Sequence, residues 1–306
     1  MHAETIERLD YKHDTALPVE HGEQGTRWVV ALTAAMMVAE LVAGHLTNSL
    51  ALTADGWHMA THAGALGLAA LAYWFARTRA QHGAFTFGTG KVYALAGYTS
   101  AVSLGLVALW MLVESARRLI YPLPIAFGQA LPIAVLGLAV NLLSLKLLDH
   151  GDAAPAGSEH DHNWRAAYVH VMADALTSVL AITALLTGRY LGWVVVDPMM
   201  GFVGAGLILH WAARLCRDAA GQLLDVLPSA ETERAVRARL EAVDDVRIAD
   251  LHLWEMGPSR TGCIVSLVSA MPRETTYYRE LILSQWPMAH LTVEVHRCSG
   301  GHGAPA

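Results

Sequence analysis

Charge is scarce in this chain. Only 16% of its 306 residues are Asp, Glu, Lys or Arg, while 54% are hydrophobic, and the mean hydropathy is +0.35. An ordinary soluble globule carries more charge than that. The few charges are also uneven, sparse from about Trp28 to Leu215 and dense from Arg217 to Arg297. A net charge of −6 with no basic stripe argues against a nucleic-acid partner. Cysteine is scarce as well. Cys216, Cys263 and Cys298 are odd in number and widely spaced, which excludes a disulfide framework and a CxxC zinc site. No HExxH metalloprotease motif is present, since Met59 follows His58. Histidines on two spans could in principle hold haem, but pairs at i, i+4 with a carboxylate match two axial ligands poorly. The polar N-terminus, Met1 to Gln24, lacks a signal-peptide pattern.

What is abundant is long apolar sequence. A span needs roughly 20 mostly apolar residues. Six stretches qualify: Trp28–Leu46, Leu50–Phe75, Val92–Ala116, Phe127–Leu148, Trp164–Thr187 and Leu191–Leu215. An even number puts both termini on one side. Arg8, Lys12, Arg27, Arg77, Arg79, Lys91, Lys146, Arg165, Arg214 and Arg217 fall on that side, against Arg117, Arg118 and Arg189 opposite. The positive-inside rule then makes both termini cytoplasmic.

Two of these stretches carry ionisable groups. His58 and His62 lie in the second, His170 and Asp174 in the fifth. Each pair is about one helical turn apart and so shares a helix face. Ionisable groups at membrane depth are costly and mark function. Asp55, Thr61, Thr177 and Ser178 add to the same two polar faces. Packing the faces together buries the costly groups at one locus, and Gly64, Ala65, Ala173 and Ala175 permit close approach. Three imidazoles and one carboxylate suit a tetrahedral site for a borderline divalent metal. Between the fourth and fifth stretches, residues 149–163 read as a polar loop with His150, Glu159, His160, Asp161 and His162. His160 and His162 are weaker metal candidates there.

After Asp225 the pattern changes. Pro228 to Glu231 starts a helix that runs to Val243. Val246–Trp254 and Cys263–Ala270 read as strands about a Gly257-Pro258-Ser259 turn. Arg273–Gln285 reads as a helix and Leu291–Arg297 as a third strand. His252, His290, His296, Cys298 and His302 are potential ligands there, in a spacing that matches no specific zinc signature.

The segments Asn48 to His62 (NSLALTADGWHMATH), Ala167 to Ala175 (AYVHVMADA) and Val196 to Met199 (VDPM) resemble the cation diffusion facilitator family. The likeness covers roughly Trp28 to Cys298. It implies an α-helical membrane protein with six transmembrane helices followed by a small cytoplasmic α+β domain (αββαβ, ferredoxin-like). The expected division is a tail over 1–27, a transport domain over 28–217, the α+β domain over 218–298 and a tail over 299–306. The family implies a proton-coupled antiporter, not an enzyme, that exports divalent transition metals across the inner membrane as a homodimer. No cofactor is implied, because the metal is cargo.

Carried over residue by residue, the transport site is His58, His62, His170 and Asp174. Zinc-transporting branches usually place Asp where His62 stands. The segment Asp55 to His62 (DGWHMATH) looks most like the cobalt/nickel efflux branch, often called DmeF, with zinc as the alternative cargo. Asn141 matches an Asn near the transport site in some branches. Glu40 and Glu114 fall at acidic positions common in the family. A metal-binding histidine of the second strand is replaced near Ser266, which leaves His252 and His290 as the domain's candidates.

Overall fold

A computed structural model describes residues 24–79, 84–149 and 160–298. Six long helices occupy the apolar sequence: α1 (Gln24–Thr47), α2 (Leu50–Arg79), α3 (Lys91–Ile120), α4 (Phe127–Asp149), α5 (His160–Leu191) and α6 (Val196–Leu223). They are followed by α7 (Ala230–Glu241), β1 (Arg247–Gly257), β2 (Arg260–Ser269), α8 (Thr275–Leu283) and β3 (Met288–Arg297). α3 and α6 each hold a continuous apolar window long enough to cross a membrane, and shorter apolar stretches run over Ala31–Thr47, Phe127–Leu143 and Ala175–Leu191. Much of the apolar surface points outward, as with Leu106, Trp110 and Val113 on α3. In water such a surface would aggregate, whereas a bilayer solvates it.

By contact, the described residues fall into two units, 24–68 with 99–216 and 69–98 with 217–298. In the first, α1 and α2 are joined by a minimal turn. Asn48 adopts φ 57°, a left-handed conformation that Asn tolerates better than most residues. Ser49 then caps α2, its hydroxyl accepting from the Leu52 amide at 3.2 Å. Small residues set the helix packing. Ala54 joins Ala108, Met111, Ala205 and Ile208 in one cluster, and Leu52 joins Ala130, Ala134 and Leu185 in another. At Gly204 a Cβ would lie 2.8 Å from the Ala54 Cβ, so glycine is what lets α6 approach α2.

In the second unit the sheet order is β1-β2-β3. β1 pairs antiparallel with β2 through the Pro258-Ser259 turn, and β2 pairs parallel with β3, with α8 supplying the crossover. Alternate residues of β2, Cys263, Val265 and Leu267, point to one face and meet Val236 and Leu240 of α7 and Tyr278 and Ile282 of α8. The opposite face carries Asp250, His252, Ser266, Glu294 and His296 in register.

Several expectations need adjusting. β1 runs on to Gly257 and β3 begins at Met288, while α8 is shorter than Arg273–Gln285. The polar loop over 149–163 is not a loop at its ends, because α4 continues to Asp149 and α5 starts at His160. Polar residues at a helix start outside an apolar layer lose nothing by being helical. The sequence-predicted features at residues 1–23, 150–159 and 299–306, which include His150, Glu159 and His302, lie outside the described residues.

Candidate metal-transport site

The site is built on α2, and α2 is held by α6. Asp197, 1% exposed in the first turn of α6, reaches the start of α2. One carboxylate oxygen accepts from the Ser49 hydroxyl at 2.6 Å and the Ala51 amide at 3.1 Å. The other accepts from the Leu50 amide at 2.7 Å. Two amides at a helix N-terminus have no intrahelical partner, and a negative charge there is favoured by the dipole. Pro198 beside it is compatible with a first helical turn.

One turn further along, Asp55 and His58 lie in the interior, each 2% exposed. Both line a cavity of about 520 Å³ between α2, α5 and α6, whose wall also includes Thr177, His210 and Trp211. The Trp211 ring lies 5.0 Å from the His58 ring, centroid to centroid. The Ser178 hydroxyl donates to Asp55 Oδ2 at 2.7 Å and accepts from Asn141 Nδ2 at 3.1 Å. A polar chain therefore crosses from α4 through α5 to α2, with all three side chains buried.

These contacts fix the relative direction of α2 and α5. Ala51 packs with Ala181 and Ala184, and Asp55 bonds Ser178. Advancing along α2 thus means retreating along α5, so the two helices are antiparallel. At 1.5 Å rise per residue, His58 lies about 4.5 Å beyond Asp55 and Asp174 about 6 Å beyond Ser178. His62 lies about 10.5 Å and His170 about 12 Å beyond the same pair. The backbone register therefore sets residue 58 level with 174 and residue 62 level with 170, each within about 1.5 Å. His62, His170 and Asp174 are helical, but their side chains lie outside the described residues, as do those of His160 and His162 in the first turn of α5.

The remaining candidates are dispersed. Glu40 is fully buried on α1 against Gly137 of α4, where a Cβ would collide with its carboxylate. Glu114 pairs with Arg118 at 2.9 Å, and Arg118 also donates to the Asn48 carbonyl, so it braces the α1–α2 turn. In the sheet, His252 pairs with Asp250 at 2.8 Å. His290 packs against the Phe87 and Trp254 rings and contacts the Thr292 hydroxyl at 3.2 Å. They sit on the two outer strands with β2 between, about 10 Å apart in strand spacing alone. Among the described residues, no group of three or more His, Cys, Asp or Glu is close enough to hold a metal ion. The Cys263 thiol is fully buried and burial pushes its pKa up to about 12, which keeps it protonated and inert.

Sequence reasoning noted Asp55 and Ser178 as polar but gave them no role. It missed the α6 residues His210 and Trp211. Their signal was available as a histidine and an indole in an apolar run, but only the fold shows that they face the same cavity as His58.

The family model described as the cation efflux transmembrane domain matches residues 27–224. The zinc transporter ZitB of Pectobacterium atrosepticum is 33% identical over 278 residues, covering 89% of this chain and 85% of the relative. The zinc transporter ZitB of Escherichia coli is 35% identical over 243 residues, covering 79% and 76%. A cadmium, cobalt and zinc/H(+)-K(+) antiporter of Bacillus velezensis is 29% identical over 274 residues, covering 87% and 86%. With buried ionisable residues on paired apolar helices and a family match across most of its length, the chain belongs to the cation efflux family.

Proposed function

We propose that this protein exports divalent transition-metal ions from the cytoplasm in exchange for protons, with zinc as the leading cargo. Residues His58, His62, His170 and Asp174 would carry the ion, in a six-span membrane domain whose termini are cytoplasmic and which works as a homodimer. The observation that carries this reading is the antiparallel register of α2 and α5, which levels residue 58 with 174 and residue 62 with 170. Zinc is favoured because two of the relatives above are named zinc transporters and the third name includes zinc. That preference replaces the cobalt/nickel reading taken from the DGWHMATH segment. Cobalt and nickel remain the second reading on one feature, the imidazole of His62 where zinc branches carry a carboxylate.

Imidazole suits zinc, cobalt and nickel, whereas magnesium and calcium prefer all-oxygen shells. Loading needs neutral histidines and an ionised Asp174. Histidine titrates near physiological pH, so protons entering from an acidic exterior compete with the ion and favour its release. Rocking of the site-bearing helices would then alternate access.

The test is metal-driven proton movement in proteoliposomes with Zn²⁺, Co²⁺ and Ni²⁺, comparing wild type, His58→Ala, Asp174→Ala and His62→Asp. The expectation is a zinc response that the two alanine variants abolish. A cobalt or nickel response that His62→Asp converts to zinc would establish the second reading. Unchanged flux in both alanine variants would rule out the site.

A further inference from the structure

Ser178 has no side chain suited to metal binding, and Asp55 lies one turn away from the nearest ligand position. Yet both are buried, Asp55 in the wall of the cavity that His58 also lines, and they bond each other at 2.7 Å. Burying a carboxylate among apolar helices is costly unless its oxygens are satisfied. The hydroxyl that satisfies Oδ2 is itself oriented. Asn141 Nδ2 donates to its oxygen, which leaves the Ser178 proton directed at Asp55. The chain runs one way, from amide to hydroxyl to carboxylate.

The location of this chain is the informative part. On α2 the order is Asp55, His58, His62, and on α5 it is Ser178, Asp174, His170, with each step close to one turn. The Asp55–Ser178 bond is thus the rung next to the two rungs that would hold metal. A one-residue slip of α5 along α2 would shift the level of its ligands by about 1.5 Å and turn them by roughly 100° about the helix axis. A tetrahedral ion with bonds of about 2.0–2.2 Å does not tolerate such a change.

We infer that Asp55, Ser178 and Asn141 form a positioning latch that fixes the register of α2 against α5, and thereby the shape of the transport site and its discrimination among metals. This rests on the proposed transport site. The latch residues do not touch the ion. They act by holding its ligands, as outer-shell partners do in other metal sites.

The experiment uses the full-length chain purified in detergent, with Zn²⁺ affinity measured by competition with a chromophoric chelator. The visible absorption of bound Co²⁺ reports site geometry. Ser178→Ala and Asp55→Leu are each expected to weaken Zn²⁺ binding by about three- to tenfold, the range of a single interhelical hydrogen bond in a membrane protein. Each should also reduce the intense bands of tetrahedral cobalt. Asp55→Asn, which keeps an oxygen acceptor for Ser178, should retain wild-type affinity and spectrum. Wild-type affinity and spectrum in Ser178→Ala would overturn the latch. So would an Asp55→Asn variant as impaired as Asp55→Leu, since charge rather than register would then be what matters. His58→Ala separates the two levels of argument. If it alone abolishes binding while the latch variants are silent, the site stands and the latch falls. If His58→Ala binds like wild type, both fall.

Discussion

Removing the Asp197 carboxylate should destabilise the helical unit more than any exposed charge change. In Asp197→Ala, the Leu50 and Ala51 amides and the Ser49 hydroxyl lose acceptors at 2.7, 3.1 and 2.6 Å. The hydroxyl can turn to another acceptor, but the amides are fixed in the first turn of α2. Each buried donor left without an acceptor costs about 1–3 kcal/mol, so two amides give about 2–6 kcal/mol. At about 2–4 °C per kcal/mol for a unit of this size, the melting temperature should fall by roughly 10 °C. Asp197→Asn keeps one oxygen acceptor and should fall by less than half as much. The assay is thermal unfolding of the detergent-purified chain followed by intrinsic fluorescence. Arg117→Gln serves as the reference, since Arg117 is exposed and its i, i+3 pair with Glu114 is worth well under about 1 kcal/mol. A melting temperature for Asp197→Ala within about 2 °C of wild type would refute the reasoning, because the amides would then have found other acceptors.

Three further outcomes are expected. Cys263, protonated at pH 8 because burial lifts its pKa to about 12, should resist maleimide in the folded protein and react once denaturant is added; rapid labelling of the native state would show that the β-sheet core opens. Gly262→Ala would place a Cβ 2.5 Å from the Trp254 ring, so a shift in tryptophan emission and a loss of about 1–3 kcal/mol by denaturant titration are expected. Leu240→Ala, in the core under the sheet, should cost about 2–5 kcal/mol and speed amide exchange in β2, whereas unchanged exchange would mean that α7 does not support the sheet.

Long elements were legible in the sequence because their signals are additive. Each of the six apolar stretches overlaps a helix, and the αββαβ order follows from period-2 runs around Pro258-Ser259. Helix ends were less legible, since α5 begins at His160 where polarity had read as loop. Polarity marks where a membrane ends, and a helix need not end there. The polar faces of α2 and α5 could be read from spacing alone. Their register could not, because it depends on which serine meets which aspartate 123 residues away. Likewise VDPM was visible as a motif, but only the fold joins Asp197 to the first turn of α2. His252 and His290 could each be read as a candidate ligand from the sequence, but only the sheet order shows that they stand on strands that do not adjoin.

The minimal turn at Asn48-Ser49 and the Asp197 carboxylate secure α2 at one end from two directions. Mechanically, that end is a fulcrum and the helix is a lever. A 10° tilt about Leu50 moves residue 55 by about 1.3 Å, residue 58 by about 2 Å and residue 62 by about 3 Å, given a 1.5 Å rise. The Asp55–Ser178 rung sits on the short arm, where displacement is least and a single hydrogen bond can survive. Residue 62 sits on the long arm, where the same rotation would be enough to make or break a bond from the proposed ligand His62 to its ion.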